Sequence, residues 1–478
     1  MDRKLLRNYL YNILYQIVKV VLPLFMVPYT YAHIGAETLG ISDFASNIAG
    51  WFILFGTLGV NTYGNREIAK VRDNQDDLNR TFFEIYAMQV CNMLIATVCY
   101  FIYVKFTRTA NQEIWYLTGM ILLASMTDIT WFFYGVEDFK KASVRNIIVK
   151  LLGVSLIFLF VKKPSDLWLY VVINSGSELV GQAIMFLQLK QYIQPVKISL
   201  IDAYKHHFKA TFALFIPTIA ISVYTMLDQT MIGELHSTLH LNYYKTSMSF
   251  IKMFLYFITS IGSVMLPRVT NVFYNKEDGA EQARGLINTT MKIAMLLALP
   301  MCFGMIGVAP YFIPWYLPSA PIISYLIMAG CPIIVFISIS NVTGSQYMVP
   351  TGMYKMYSRS VICGAIINAC INAILIPSMG AYGAIIGSVV AEFTVTFIQY
   401  MSIRKSVTIK LLDVSYLKYL VGSVCMLFIV NVVGEYMGAS LLTNLVQAAV
   451  GAGFYFLFLF ITKEELLCSV VKKVLKHA

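Results

Sequence analysis

The sequence predicts an all-α polytopic membrane protein with about fourteen transmembrane helices. These form two six-helix lobes plus two C-terminal helices, and both termini are cytoplasmic. Three observations carry this reading. Of 478 residues only 13% are charged and 58% are hydrophobic, with a mean hydropathy of +0.68, whereas a soluble chain carries about 25% charge. Apolar runs long enough to cross a bilayer as helices recur along the whole chain, and they are continuous rather than alternating, which excludes a β-barrel. Finally, 27 lysines and arginines fall in one set of alternate connections, against four (Lys105, Arg108, Lys162 and Lys163) in the other. That bias marks the cytoplasmic side.

The spans follow in order. The first, 8–31, opens on basic residues and then runs apolar; it is too long for a signal peptide and lacks a small-residue cleavage site, so it is retained. Pro23 and Pro28 are expected to bend it. Span 39–62 runs into the basic cluster Arg66, Lys70, Arg72 and Arg80, and span 82–104 ends at Lys105. Span 114–134 carries an aspartate near its end, span 145–161 follows Lys140 and Lys141, and span 167–189 closes the first lobe. The second lobe comprises 211–233, with Pro217 matching the bend of the first span, then 244–266, 287–309, 321–343, 357–377 and 381–401. Spans 415–434 and 440–461 precede a basic tail. The longest connections, near 190–210 and 268–286, are expected to form amphipathic or surface helices.

A weak internal repeat supports the division into 1–210, 211–402 and an appendix, 403–478. HIGAETLGISDFASNI (33–48) resembles MIGELHSTLHLNYYKTSMSF (231–250), and EDFKKASVRNII (137–148) resembles GMYKMYSRSVIC (352–363), at offsets of 198 and 214 residues. Parallel repeats of this kind place a site at their interface.

Composition also excludes several function classes. The net charge of +11 is accounted for by the cytoplasmic loops, so no nucleic-acid partner is expected. Seven cysteines lie in apolar spans without a Cys-x-x-Cys or Cys/His cluster, which indicates neither disulfides nor a metal. The outer loops are too short for a catalytic domain, and His236 and His240, four apart, are read as loop residues.

Polar residues inside the spans mark the candidate site. Lys245, Ser249, Lys252, Tyr256, Thr259 and Ser263 are spaced 4, 3, 4, 3, 4, one face of a helix. The equivalent second span has Asp43, Asn47, Gly50, Leu54, Thr57 and Asn61 at the same intervals. Two such stripes predict a shared aqueous cavity; the competing reading is helix packing glued by small polar residues. Lys252 lies roughly 13 Å into its span and Lys19 roughly 16 Å, at about 1.5 Å per residue. A lysine so deep costs about 2.5–3.5 kcal/mol to insert, which favours a role with an anionic ligand or cavity over a structural ion pair. Asp128, Asp228, Glu178 and Glu392 are further intramembrane acids. They are available to pair with the lysines, carry a coupling proton or sodium ion, or contact sugar hydroxyls.

The motifs resemble one family. Asp128-x-x-Trp131-Phe132-Phe133-x-Gly135-x-Glu137-x-Phe139, followed by Arg145-Asn146, is similar to the fourth-span signature of Wzx-type polysaccharide flippases. Similar too are the opening Asn8-Tyr-Leu-Tyr-Asn, Asn61-x-Tyr63-Gly64-Asn65-Arg66-Glu67-Ile68-Ala69, Leu227-Asp228-x-x-Met231-Ile232-Gly233 and Met265-Leu266-Pro267-Arg268-Val269. Leu241-Asn242-Tyr243-Tyr244 departs from the usual Val-Gly-Tyr-Tyr.

The resemblance implies a member of the multidrug/oligosaccharidyl-lipid/polysaccharide exporter superfamily in a bacterial cell membrane. It would be a transporter and no enzyme, moving an undecaprenyl-pyrophosphate-linked glycan (capsule, O-antigen or teichoic acid precursor) between leaflets. It implies contact with membrane lipid and with polysaccharide assembly enzymes, and no cofactor beyond coupling to H+ or Na+. Lys19, Asp43, Asn47, Asp128, Asp228, Lys245, Ser249, Lys252 and Tyr256 are the expected cavity residues. Arg66, Glu67, Trp131, Gly135, Glu137, Arg145, Arg268 and Arg359 form the motif set expected to gate the cytoplasmic side.

Overall fold

The computed structural model describes residue 18 and residues 21–275, 278–404 and 413–467. Lys19 lies outside the described residues, as do the side chains of Pro217 and Ser263. Every described element is helical. Ten helical stretches are long and apolar enough to cross a membrane, judged by length and composition among the described residues.

Packing divides the chain into two units, Met1–Gly233 and Glu234–Ala478. The sequence repeat places its boundary after residue 210, whereas the packing divides after Gly233, so the helix Lys209–Leu235 sits with the first unit.

The first unit contains α1 (residues 21–33), α2 (Ala36–Thr57), α3 (Val60–Val71), α4 (Gln75–Thr107), α5 (Gln112–Thr118), α6 (Met120–Met126), α7 (Thr130–Gly135), α8 (Phe139–Phe160), α9 (Leu167–Leu189), α10 (Leu200–Ala203) and α11 (Lys209–Leu235). Local chemistry sets the helix starts. Asn74 caps α4 by accepting the Asp76 and Asp77 N–H groups at 3.1 and 3.4 Å, and both acids sit in the first turn, where the helix dipole favours them. Asp138 caps α8 through the Lys141 N–H at 3.4 Å. The core of this unit joins Phe82, Ile85 and Met88 of α4 to Trp131, Phe132 and Phe133 of α7 and Ile68 of α3.

The apolar run read as the fourth span, 114–134, is one membrane-length stretch, Gln112–Gly135, but the chain builds it from three short helices interrupted at Gly119 and at Thr127–Ile129. The expected surface helix near 190–210 is only the single turn of α10, which passes through a π-helical turn at Tyr204–Phe208 into α11. The one expected near 268–286 is replaced by the extended ends of two 38-residue helices.

Those helices, α12 (Thr238–Asn275) and α13 (Gly279–Tyr316), open the second unit. It continues with α14 (Ile322–Gly330), α15 (Pro332–Ser340), α16 (Tyr354–Met379), α17 (Ala381–Ile403), α18 (Val414–Met437) and α19 (Leu441–Ile461). Each 38-residue helix extends roughly 57 Å at about 1.5 Å per residue, beyond the thickness of a hydrocarbon core. Ile251, Leu255 and Ile258 of α12 pack with Ile287, Met291 and Ala294 of α13 in its core. The last two helices dock on α13: Lys292 pairs with Asp413 at 3.0 Å, and the Tyr455 hydroxyl donates to the Leu296 carbonyl at 3.0 Å.

Candidate functional site

The motif residues of the first unit converge at one end of it. Trp131 is buried and its Nε1–H is shared between Gln89 Oε1 at 3.0 Å and the Asp128 carbonyl at 3.1 Å. The Gln89 amide donates in turn to the Asp128 carbonyl at 2.9 Å and the Ser125 carbonyl at 3.1 Å. One glutamine thereby satisfies carbonyls freed by the break between α6 and α7. The Asp128 carboxylate accepts the Thr130 N–H at 2.9 Å and the Thr130 hydroxyl. Buried Arg145 reaches the same hydroxyl at 3.3 Å and Gln182 Oε1 at 3.4 Å. Asp128 therefore starts a helix within the span and belongs to a polar network with α8 and α9.

Two motifs touch because glycines let them. A Cβ at Gly64 would lie 2.5 Å from the Trp131 ring, and one at Gly135 would lie 2.6 Å from Ile68. The Asn61–Ala69 stretch on α3 and the Trp131–Gly135 stretch on α7 are thus a matched pair of surfaces. Glu137, just past α7, adopts a left-handed φ of 59° and pairs with Arg72 at 2.7 Å. Glu67 binds its neighbours Arg66 at 3.1 Å and Lys70 at 2.9 Å. Arg268 on α12 and Arg359 on α16 are exposed.

Sequence reasoning missed a second cluster here. Buried Glu84 accepts from Arg80 at 2.8 Å and from His207 at 2.9 Å, with His206 at 3.3 Å; the other ring nitrogen of His207 meets the Tyr63 hydroxyl at 2.7 Å. Burial pulls the His207 pKa below its ordinary 6.5, against the opposing pull of Glu84. The available signal was a glutamate one turn inside an apolar span with two histidines in the preceding connection of another.

The two polar stripes are used differently. On α2, Asn47 is buried and donates to Thr230 Oγ1 at 2.7 Å, Trp51 donates to the same oxygen at 2.9 Å, and Gly50 admits Met226. This part of the stripe packs against α11 within the first unit. Asp43 is half-buried and lies in the electrostatic reach of Tyr170, and Asp228 is buried. On α12, Lys245 and Lys252 are half-buried and Ser249 and Tyr256 exposed, while Ser247, Ile251 and Ile258, turned well away from them around the helix, are buried. The α12 stripe faces away from its own unit's core. The His236 and His240 ring centroids lie 4.1 Å apart, tilted by 43°, and His240 Nδ1 accepts the Ala381 N–H at 3.2 Å, so His240 fastens the start of α12 to the start of α17.

A cavity of about 140 Å³ lies inside the first unit between α1, α8 and α9. Lys150, Asn174, Ser177 and Glu178 form its polar wall, with Leu22, Pro23 and Met26 across from them. Lys150, in the middle of an apolar span, was not singled out from sequence.

A family profile described as "Polysaccharide biosynthesis protein" matches residues 5–273, more than half the chain and both touching motifs. The chain belongs to this family. As a polysaccharide biosynthesis protein it is 22% identical over 409 residues to the "Putative O-antigen transporter" of Escherichia coli (strain K12), covering 84% of this chain and 97% of the relative. A Shigella dysenteriae protein of the same name is 23% identical over 392 residues, covering 80% and 96%. Among solved structures, the fold is similar to that of "Lipid II flippase MurJ, inward closed conformation", with a TM-score of 0.74 at 15% identity over 96% of this chain and 100% of that one. It is also similar to an inward-facing multidrug resistance MATE family transporter of the MOP superfamily, with a TM-score of 0.58 at 14% identity over 80% and 95%. This family member is a multi-pass membrane protein with the fold of that superfamily.

Proposed function

We propose that the protein is a flippase that carries an undecaprenyl-pyrophosphate-linked oligosaccharide from the inner to the outer leaflet by alternating access. The observation that carries this reading is the family match together with the α12 stripe, which presents Lys245 and Lys252 on the side away from its unit's core. Two ammonium groups within an apolar helix suit a diphosphate, with the lipid tail left in the bilayer. In this reading the chain has fourteen spans with both termini cytoplasmic, and the cargo is a capsule, O-antigen or teichoic acid precursor. Moving two negative charges outward across 100 mV, inside negative, gains roughly 4.6 kcal/mol at about 2.3 kcal/mol per charge. Co-transported H+ or Na+ would reduce that figure.

The test is depletion of the protein in its host, followed by analysis of lipid-linked intermediates. Complete units should accumulate on the cytoplasmic face. Accumulation of units already translocated would point to a polymerase or ligase and overturn the reading. A second reading, a cation-coupled exporter of small molecules, is kept because the MATE transporter shares the fold. It predicts drug sensitivity on depletion without build-up of glycan intermediates.

A further inference from the structure

The cavity between α1, α8 and α9 has a composition that packing does not require. Lys150 and Glu178 each lie eleven residues into their helices, or roughly 16 Å at about 1.5 Å per residue, near the middle of the membrane. Placing each charge there costs about 2.5–3.5 kcal/mol on insertion scales. A structural ion pair would offset that cost, yet among the described residues neither side chain takes part in a hydrogen bond or ion pair, and both line the same space. Asn174, Ser177 and Glu178 share one face of α9 at i, i+3 and i+4.

One positive and one negative group make the wall formally neutral. A metal ion entering would face the Lys150 ammonium, and a phosphate would face the Glu178 carboxylate, so neither ion alone is well served. A neutral polyol is served by all four groups. The carboxylate accepts from hydroxyls, the ammonium donates to hydroxyl oxygens, and the amide and serine do both. Leu22, Pro23 and Met26 offer an apolar wall to the C–H face of a sugar ring. Its volume is about 140 Å³, well above the ~10–15 Å³ that one water needs, so the space admits a ligand larger than a single water.

We infer that this cavity is a binding subsite for a neutral sugar ring of the translocated glycan. The inference rests on the flippase reading for its physiological ligand but is tested by sugar binding itself. The purified protein in lipid nanodiscs is probed by saturation-transfer NMR with methyl glycosides of glucose, galactose, rhamnose and N-acetylglucosamine. Saturation should reach the ring protons of at least one glycoside. Glu178→Gln, which removes hydrogen bonds to a charged acceptor, should weaken that affinity about tenfold or more, and Val154→Phe, which fills the cavity, should abolish the signal. Absence of transfer to every probe, or transfer unchanged in both variants, overturns the inference. So does full export activity in the charge-swapped Lys150→Glu/Glu178→Lys protein when each single variant is inactive, since that identifies an ion pair formed in another state. If Val154→Phe fails to elute as folded protein, Glu178→Gln alone decides. Depletion of the wild-type protein separates the two readings: build-up of intermediates without glycoside binding removes only the subsite, and glycoside binding without build-up removes only the flippase.

Discussion

Asp128 shows how a carboxylate persists inside an apolar span. It begins a helix there, accepting the Thr130 N–H and hydroxyl, while Arg145 holds the same hydroxyl. Glu137 presents a different balance. Its left-handed backbone costs about 1–2 kcal/mol for an L-residue, and its exposed pair with Arg72 returns about 0.2–1 kcal/mol. Glu137→Gly should therefore leave stability unchanged or raise it by up to about 1 kcal/mol, whereas Glu137→Ala, keeping the strain and losing the pair, should lower it. Thermal unfolding of the two variants in detergent gives the ranking. His207 supplies a pH dependence. Its folded pKa lies below the ordinary 6.5 because it is buried, so between those two values the unfolded chain binds more protons. Stability should fall as pH drops through that window and level off below it. His240, lowered by burial and by His236, acts in the same direction. The unfolding midpoint should drop on acidification, and His207→Gln should flatten part of that slope.

Among the elements, α3 and α7 bring two motifs into close approach, and side-chain size governs it. Gly64→Ala and Gly135→Ala each force a methyl into Trp131 or Ile68, so each should destabilise by about 1–3 kcal/mol, measured by denaturant or thermal unfolding. A parallel loss of folded yield for both, with Gly285→Ala neutral or stabilising because its Cβ position is open and alanine is the better helix former, would separate packing from general helix effects. These contacts explain what was legible in the sequence. Helix existence followed from apolar length, and the motif glycines signalled a close approach without naming its partner. The breaks at Gly119 and Thr127–Ile129 were not legible, because hydropathy is blind to backbone geometry and to a carboxylate, Asp128, that accepts the Thr130 N–H. The α2 stripe read as cavity-lining, yet Asn47 and Trp51 converge on Thr230. Periodicity identifies a polar face and says nothing of whether a helix or water covers it.

For the whole molecule, the predictions concern transport. Lys252→Gln, or Lys252 and Lys19 changed together, should impair export without loss of membrane-inserted protein, read from glycan reaching the cell surface; full activity of the double variant would remove the cationic-cavity mechanism. Reporter fusions at both termini should give cytoplasmic signals if the alternation of basic connections sets orientation. That the chain is a helical multi-pass membrane protein was the most legible property, since bilayer thickness acts on composition. The Glu84–His207–Tyr63 cluster and the Lys150–Glu178 cavity were the least legible. The first joins residues from helices distant in the chain, and the second sets α1 against the consecutive helices α8 and α9, so only packing brings each together.

Trp131, sealed from water and hydrogen-bonded at Nε1 to Gln89, is one of five tryptophans in the chain. Its stack on Phe82, with ring centroids 5.5 Å apart, fixes the indole in an apolar setting. This residue is consequently a built-in optical probe. With the other four tryptophans replaced by phenylalanine, its emission should be blue-shifted at rest and should redden if the α3–α7 contact parts and admits water, so opening of that end can be timed by stopped-flow fluorescence without attaching a label.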